Sequence, residues 1–132
     1  MEILLPEGWP RPKGYADGVA AEGRLVFVAG QIGWNERREF AEKTFAGQFR
    51  QTLLNTLAVL SAGGARPEHV ARMTWYVTDK QAYLAALPEV GRAWRELFGS
   101  HYPAMAVVQV TALMEDEALV EIETTAVVPP QP

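Results

Sequence analysis

The sequence predicts an α+β domain in which two helices cover one face of a mixed β-sheet. Short apolar segments with the period of strands alternate with two longer segments that have the period of amphipathic helices. Their order along the chain is β-β-α-β-α-β-β. A length of 132 residues suits a single domain spanning residues 1–132. Six of the nine prolines fall in residues 1–14 and 129–132, so we expect these two segments to be terminal arms.

The composition narrows the classes of function. Hydrophobic residues make up 48% and charged residues 21% of the chain, which is typical of a folded protein. There is no cysteine, so disulfides, thiolate metal sites and cysteine nucleophiles are excluded. The net charge is −4, and Glu36 and Glu39 flank the Arg37-Arg38 pair. Both features argue against nucleic acid as a partner, because phosphate binding needs concentrated Lys and Arg.

The N-terminal segment bears on the cellular location. It has an acid at position 2 and several prolines, and it lacks the basic start and apolar run of a signal peptide. No apolar stretch approaches the roughly 18 residues of a membrane span. We therefore expect a cytoplasmic protein with no membrane partner.

A hairpin and a helix are predicted in the first half of the chain. The segment DGVAAEGRLVFVAGQI holds two apolar runs around a Glu22-Gly23 turn, which is the pattern of a β-hairpin. From Thr44 to Ala62 the apolar residues recur every three or four positions, as on one face of a helix. Gly63 and Gly64 are expected to end this helix, because a helix C-terminus favours glycine.

The next segments read as a strand and a second helical region. VARMTWYVTD places Met73, Trp75 and Val77 on one face, the alternation of a half-buried strand. Asp79 is positioned to cap the helix that follows. The helical region KQAYLAALPEVGRAWRELFG contains Pro88, which predicts a kink or a restart.

The chain closes with two predicted strands, MAVVQVTAL and ALVEIETTAVV, whose short connection favours an antiparallel hairpin. In the last strand Val120, Ile122 and Ala126 point one way and suit a face covered by helices. Glu121 and Glu123 point the other way, among apolar residues. A sheet face of this mixed kind suits contact with neighbouring subunits around a partly polar centre.

The candidates for chemistry are few. Glu121 and Glu123 share a strand face and could act as general acid and base, or they could form an ordinary solvated surface. His101 could shuttle a proton or simply lie in a loop, and His69 is expected in an exposed turn. Two isolated histidines without ligand spacing predict no metal site.

The Gly30-Gln31 step and the tryptophans can each be interpreted as structural or as functional. The Gly30-Gln31 step lacks the spacing of a phosphate loop or a dinucleotide fingerprint. Gly30 could let a ligand approach the backbone, or it could merely turn the chain out of its strand. The tryptophans Trp34, Trp75 and Trp94 are more typical of core or interface anchors than of ligand platforms.

Several segments together resemble the reactive intermediate deaminase family, the RidA or YjgF proteins. Gly14-Tyr15, LVFVAGQI, QTLLNTLAVLSAGGARPEHVARMTWYVTD, the ELF run, YPAM and VEIETTAV occur in the family's order, from about Tyr15 to Val128. The resemblance implies a chorismate-mutase-like fold and a homotrimer with ligand clefts at the subunit interfaces. It also implies hydrolysis of reactive imines or enamines to 2-oxo acids and ammonia, without a cofactor.

The family's site residues carry over position by position. Its pocket tyrosine is similar to Tyr15, its Ser-Gly-Gln strand end to Ala29-Gly30-Gln31, and its water-positioning acid to Glu121. The segment YPAM, which is similar to a family segment, adds Tyr102 to the ligand-binding residues that the resemblance implies.

The main departure is at Met105, which stands where the family has the arginine that clamps the substrate carboxylate. Methionine can make neither of the two charge-assisted hydrogen bonds of that clamp. Val107 follows two residues on, Gly91 replaces an asparagine, and Trp94 replaces a tyrosine. These changes predict a more apolar pocket, suited to an uncharged or aromatic group.

Three functions follow as hypotheses. The first is a Rid-like protein that binds or hydrolyses a small imine or enamine other than the usual 2-imino acids, with Glu121 activating water. Whether Arg92 or Arg95 replaces the missing arginine stays open. The second is a non-catalytic ligand-binding or interaction module on the same trimer. The third, a nuclease, is the weakest, because the chain is acidic and lacks a catalytic histidine pair.

Overall fold

The computed structural model describes residues 1–131, which form two sheets and three α-helices. The strands are β1 (Glu2–Leu4), β2 (Gly18–Ala20), β3 (Arg24–Ile32), β4 (Val70–Val77), β5 (Ala104–Gln109) and β6 (Val120–Val128). The helices are α1 (Phe45–Ala62), α2 (Lys80–Ala85) and α3 (Leu87–Phe98), with a short 3-10 helix at Pro67–His69. The predicted α+β class is confirmed.

The main sheet has the strand order β3-β6-β4-β5. β6 runs antiparallel to both of its neighbours, whereas β4 and β5 are parallel. The sheet is therefore mixed, as predicted. Since β5 lies at one edge, no other strand of this sheet covers its outer side.

The predicted N-terminal hairpin is wrong. β2 pairs with β1, and β3 pairs with the C-terminal strand β6. At Gly23, where φ is 150°, an added Cβ atom would overlap the carbonyl oxygen of Val128. The backbone thus passes closely over the end of β6 instead of turning back on itself, and residues 2–4 of the expected terminal arm supply the partner of β2.

The predicted C-terminal hairpin is also wrong, because β4 lies between β5 and β6. Residues 110–119 carry the chain past the end of β4, where Val110 N donates to Val77 O and Thr78 N donates to Leu119 O. Gln48 holds the same connection from α1, since its Nε2 atom donates to Glu117 O and its Oε1 atom accepts from Leu119 N. These contacts let β6 enter the middle of the sheet.

The helix boundaries follow the local signals. The Thr44 side chain accepts a hydrogen bond from Gly47 N at the start of α1, and Gly64 adopts φ 74° just beyond its end. The Asp79 carboxylate caps α2. Pro88 lies in the first turn of α3, so the helical region restarts at Ala86, as predicted.

The core lies between the sheet and the helices α1 and α3. Its fully buried side chains include Phe49, Leu53, Met73, Val120 and Ile122. The alternation predicted for β4 and β6 is confirmed, because one face of each strand is buried and the other, apart from Val127, is partly or fully exposed. None of the helices within residues 1–131 is long and apolar enough to cross a membrane.

Candidate functional site

A pocket of about 560 Å³ opens between α3, the edge strand β5 and the segment that precedes β2. Aromatic and aliphatic side chains dominate it. Its lining consists of Lys13, Gly14, Tyr15, Trp75, Tyr83, Leu87, Val90, Gly91, Trp94, Arg95, Tyr102, Met105 and Val107. The fold thus brings together five of the residues assigned to the ligand site from sequence, namely Tyr15, Trp94, Tyr102, Met105 and Val107.

Met105 and Val107 reach this pocket through the pairing of β5 with β4. Their register partners are Met73 and Trp75, both buried under the helices. Because paired residues point to the same side of a sheet, Met105 and Val107 face the helix layer as well. Met105 therefore forms an uncharged part of the pocket wall.

Two indoles form the deep aromatic wall of the pocket. The ring centroids of Trp75 and Trp94 lie 5.9 Å apart, and Tyr102 stacks on Trp94 at 6.0 Å with planes inclined by 16°. Trp94 Nε1 donates to His101 O, and Trp75 Nε1 lies 3.5 Å from Met73 Sδ. Since both N–H groups are engaged within the protein, the indoles present the pocket with apolar surface.

The segment Lys13–Tyr15 closes one side of the mouth. It is fixed by Ala16, which forms a parallel bridge with Ala104 and donates a backbone hydrogen bond of 3.0 Å to Pro103 O. Gly14 has φ 79°, a left-handed conformation that favours glycine. The N-terminal segment is consequently bound to the start of β5, which brings Lys13 and Tyr15 to the pocket.

Sequence reasoning missed several residues of the lining. Tyr83 and Lys13 were not singled out, and Trp75 was interpreted as a core residue or interface anchor. Burial raises the pKa of the Tyr83 phenol above its ordinary value of 10.0. The spacing of Leu87, Val90 and Trp94 along one face of α3 was the signal that could have identified this wall.

Glu121 lies on the opposite side of the sheet from this pocket. Its neighbour Ile122 is fully buried against the helices, so Glu121 points to the open face. It is half-buried and is aligned with Ile32 on β3 and Tyr76 on β4. Within one chain, Glu121 and Met105 therefore belong to two separate surfaces.

Gly30 and Gln31 lie near Glu121 and do not line the pocket. The pairing of β3 with β6 is irregular between Val28 and Gln31, so Gly30 has no register partner on β6. A Cβ atom on Gly30 would lie 2.8 Å from Cδ of Glu121. Glycine at this position leaves space for the Glu121 carboxyl group, and Gln31 Nε2 donates to Ala29 O beside it.

Glu123, the second acid of the predicted pair, interacts with Tyr76 and not with Gly30. Tyr76 OH donates a hydrogen bond of 2.6 Å to the exposed Glu123 carboxylate. This bond raises the pKa of Tyr76, because the carboxylate stabilises the protonated phenol. Glu123 therefore has a hydrogen-bonding partner of its own, whereas Glu121 has Gly30 beside it.

Both histidines take part in local structure. His69 Nδ1 accepts from Arg66 N at the 3-10 helix, in the turn predicted for it, and His101 Nε2 lies 2.7 Å from Val70 O. Among residues 1–131, no three acidic or histidine side chains come together as potential metal ligands.

Comparison with known proteins identifies the family. The family model described as Endoribonuclease L-PSP matches residues 10–128. A RutC family protein of Pyrococcus horikoshii is 35% identical over 127 residues, which cover 95% of this chain and 96% of the relative. A 2-iminobutanoate/2-iminopropanoate deaminase of Dermatophagoides farinae is 29% identical, with 90% of each chain covered.

A crystal structure of a Rid family protein from Yersinia pestis superposes with a TM-score of 0.85 at 30% identity, covering 96% of this chain and 98% of that one. The α+β architecture is accordingly the chorismate-mutase-like fold of these proteins. With a match over nearly the whole length in both sequence and structure, the chain belongs to the RidA/YjgF family, the Endoribonuclease L-PSP family of the sequence model.

Proposed function

We propose that this protein binds and hydrolyses a small imine or enamine that differs from the usual 2-imino acids. One observation carries the proposal: Met105 lines an aromatic pocket at the position of the family's carboxylate clamp. A thioether packs well against aromatic rings but cannot hold a carboxylate. The deaminase name of the Dermatophagoides farinae relative supports imine chemistry for the scaffold.

The active assembly in this proposal is a homotrimer with its sites at the subunit interfaces. The separation of Glu121 from Met105 within one chain supports it, because a neighbouring copy could bring its Glu121 face to the pocket. Phe27 and Leu25 are 71% and 54% exposed on the open face of the sheet. Large apolar side chains in such positions favour burial between subunits.

In the proposed reaction Glu121 is the general base. It accepts a proton from water as the water oxygen bonds to the imine carbon and the C=N electron pair moves to nitrogen. The carboxyl group then delivers that proton to nitrogen. It afterwards accepts the proton of the newly formed hydroxyl group and delivers this proton to nitrogen as well. The C–N bond breaks, ammonia leaves, and a carbonyl product remains. Gly30 and the Tyr15 hydroxyl would position the reactants.

The test uses 2-aminoacrylate generated in situ, with the natural protein and the Met105→Arg variant. We expect little hydrolysis by the natural protein, because Met105 cannot hold the carboxylate of so small a substrate at that part of the pocket wall. Met105→Arg is expected to gain activity, and Glu121→Ala in that background is expected to remove it. If both proteins are folded and neither hydrolyses the imine, the catalytic proposal is wrong.

A non-catalytic ligand-binding module is the second candidate. It is favoured by the same separation of Glu121 from the pocket, because a monomer would have a binding pocket without a base beside it. Glu121-dependent hydrolysis distinguishes the two candidates, because both can form the same trimer. A folded trimer that binds ligands but shows no such hydrolysis, even with Met105→Arg, supports the module, whereas a monomer in sizing with light scattering would remove the interfacial site of both.

A further inference from the structure

We infer that the pocket recognises a ligand with a planar aromatic body and a carboxylate, with the carboxylate held at the mouth by Lys13 and Arg95. The inference deepens the proposed function and rests on it, since it concerns the same pocket. It names the substrate class as imines or enamines that carry an aromatic ring and a carboxylate lying away from Met105, in contrast to small 2-imino acids.

The shape of the pocket supports an aromatic body. Trp94 and Tyr102 are nearly parallel, and Trp75 stands beside them. Met105 and Val107 add apolar surface from β5. A ring lying against Tyr15, which is 43% exposed, and the partly exposed Tyr102 and Met105 would gain burial, and a volume of about 560 Å³ falls within the range of small-molecule pockets.

The charge of the pocket supports an anionic group on the ligand. Lys13 and Arg95 are its charged lining residues among those the structure describes, and no carboxylate joins them there. The whole chain is acidic, with 16 Asp and Glu against 12 Lys and Arg. Two cations beside an apolar pocket are therefore a local reversal of the overall charge, which favours carboxylate binding.

These two cations are available for a ligand. Over residues 1–131, neither Lys13 nor Arg95 takes part in a salt bridge or a side-chain hydrogen bond. Other cations of the protein do find partners, as the Arg50–Glu96 pair at 2.6 Å shows. A carboxylate entering the mouth would thus meet donors that no protein group already engages.

The lack of a side chain at Gly91 leaves space for the Arg95 guanidinium beside the pocket. The two residues lie one turn apart on α3, and a Cβ atom on Gly91 would lie only 3.1 Å from Arg95 Nη1. Any side chain there would compete with the guanidinium for space. Arg92, in contrast, lines a separate hollow with Arg50 and Glu96. Of the two arginines considered from sequence, Arg95 is therefore the one at the pocket.

The test compares 3-phenylpropionate with its neutral analogue 3-phenylpropionamide in calorimetric titrations of the full-length protein. We expect the acid to bind about tenfold more tightly than the amide. A ratio of this size corresponds to one charge-assisted hydrogen bond that the acid makes and the amide does not. In the Lys13→Gln/Arg95→Gln variant the ratio should approach one. The matched control Arg92→Gln should keep the ratio of the natural protein, and circular dichroism verifies folding of every variant.

The inference is overturned if the natural protein binds the acid and the amide equally, or binds neither. It is also overturned if the double variant keeps the preference, or if Arg92→Gln loses it. These titrations require no turnover, so they separate this inference from the catalytic proposal. A protein that shows the preference but hydrolyses no imine would contradict only the proposed reaction.

Discussion

Gly30 of β3 and Glu121 of β6 approach so closely that a Cβ atom on the glycine would lie 2.8 Å from Cδ and 3.0 Å from Cγ of the glutamate. The Glu121 side chain thus occupies the space that any other residue at position 30 would fill. The contact involves the flexible part of a side chain, so a substitution should move the carboxylate and leave the fold intact.

Gly30→Ala is accordingly expected to lower imine hydrolysis in the Met105→Arg background by about a hundredfold, because a base displaced by about 1 Å loses its alignment with water. The measurement is kcat/KM with 2-aminoacrylate, together with a thermal melting curve. Gly18→Ala is the matched control, since its Cβ would meet Leu4 at an ordinary 3.4 Å. Full activity of Gly30→Ala would contradict the assigned role of Glu121.

Trp75→Ala is expected to destabilise the protein by about 3–5 kcal/mol, the usual cost of removing a large aromatic side chain from a core. Trp75 is only 4% exposed, and its indole ring contacts those of Phe49, Tyr83 and Trp94. Urea unfolding measures the loss. Trp9→Ala is the control, because Trp9 is 58% exposed and its removal should change little. Equal effects of the two substitutions would be inconsistent with this packing.

Gln48→Leu should cost at least about 2 kcal/mol, although leucine is similar in size and apolar. The amide of Gln48 is buried and bonds to Glu117 O, Glu42 O and Leu119 N. Leucine would leave these backbone groups without their partner. Urea unfolding again provides the measurement, with the exposed Gln81→Leu for comparison. A stability equal to that of the natural protein would show that the amide is not needed to hold the β5–β6 connection.

The pKa of Tyr76 is expected to lie above the ordinary 10.0, chiefly because its hydroxyl donates to Glu123. Glu123→Gln should lower this pKa, since an uncharged amide stabilises the protonated phenol less than a carboxylate does. An NMR titration of the tyrosine ring carbons follows the change. An unaltered midpoint in the variant would mean that the hydrogen bond has no influence on the phenol in solution.

Much of the candidate site could be predicted from the residues and their resemblance to a family. Tyr15, Tyr102, Met105 and Val107 were assigned to a ligand site, and the fold places them around one pocket. The charge at the pocket could be predicted only in part, because Arg95 was one of two arginines considered from sequence and Lys13 was not considered. Lys13 and Arg95 are far apart in sequence, and both line the pocket because Ala16 binds the N-terminal segment to the start of β5.

The sequence by itself determined the local structure. The periods of α1 and β4, the Thr44 and Asp79 caps, the glycines after α1 and the restart at Pro88 all appear in the fold. Each depends on residues a few positions apart, whose propensities and hydrogen bonds act within one element.

Only the tertiary structure decided which strands pair and which side chains share a surface. Both predicted hairpins were wrong. β2 pairs with β1 instead of β3, and β6 lies between β3 and β4 and forms hydrogen bonds with both instead of pairing with β5. Strand pairing depends on hydrogen-bonding edges contributed by distant segments, and apolar alternation does not identify them. The same pairing places Glu121 and Met105 on opposite faces of one sheet.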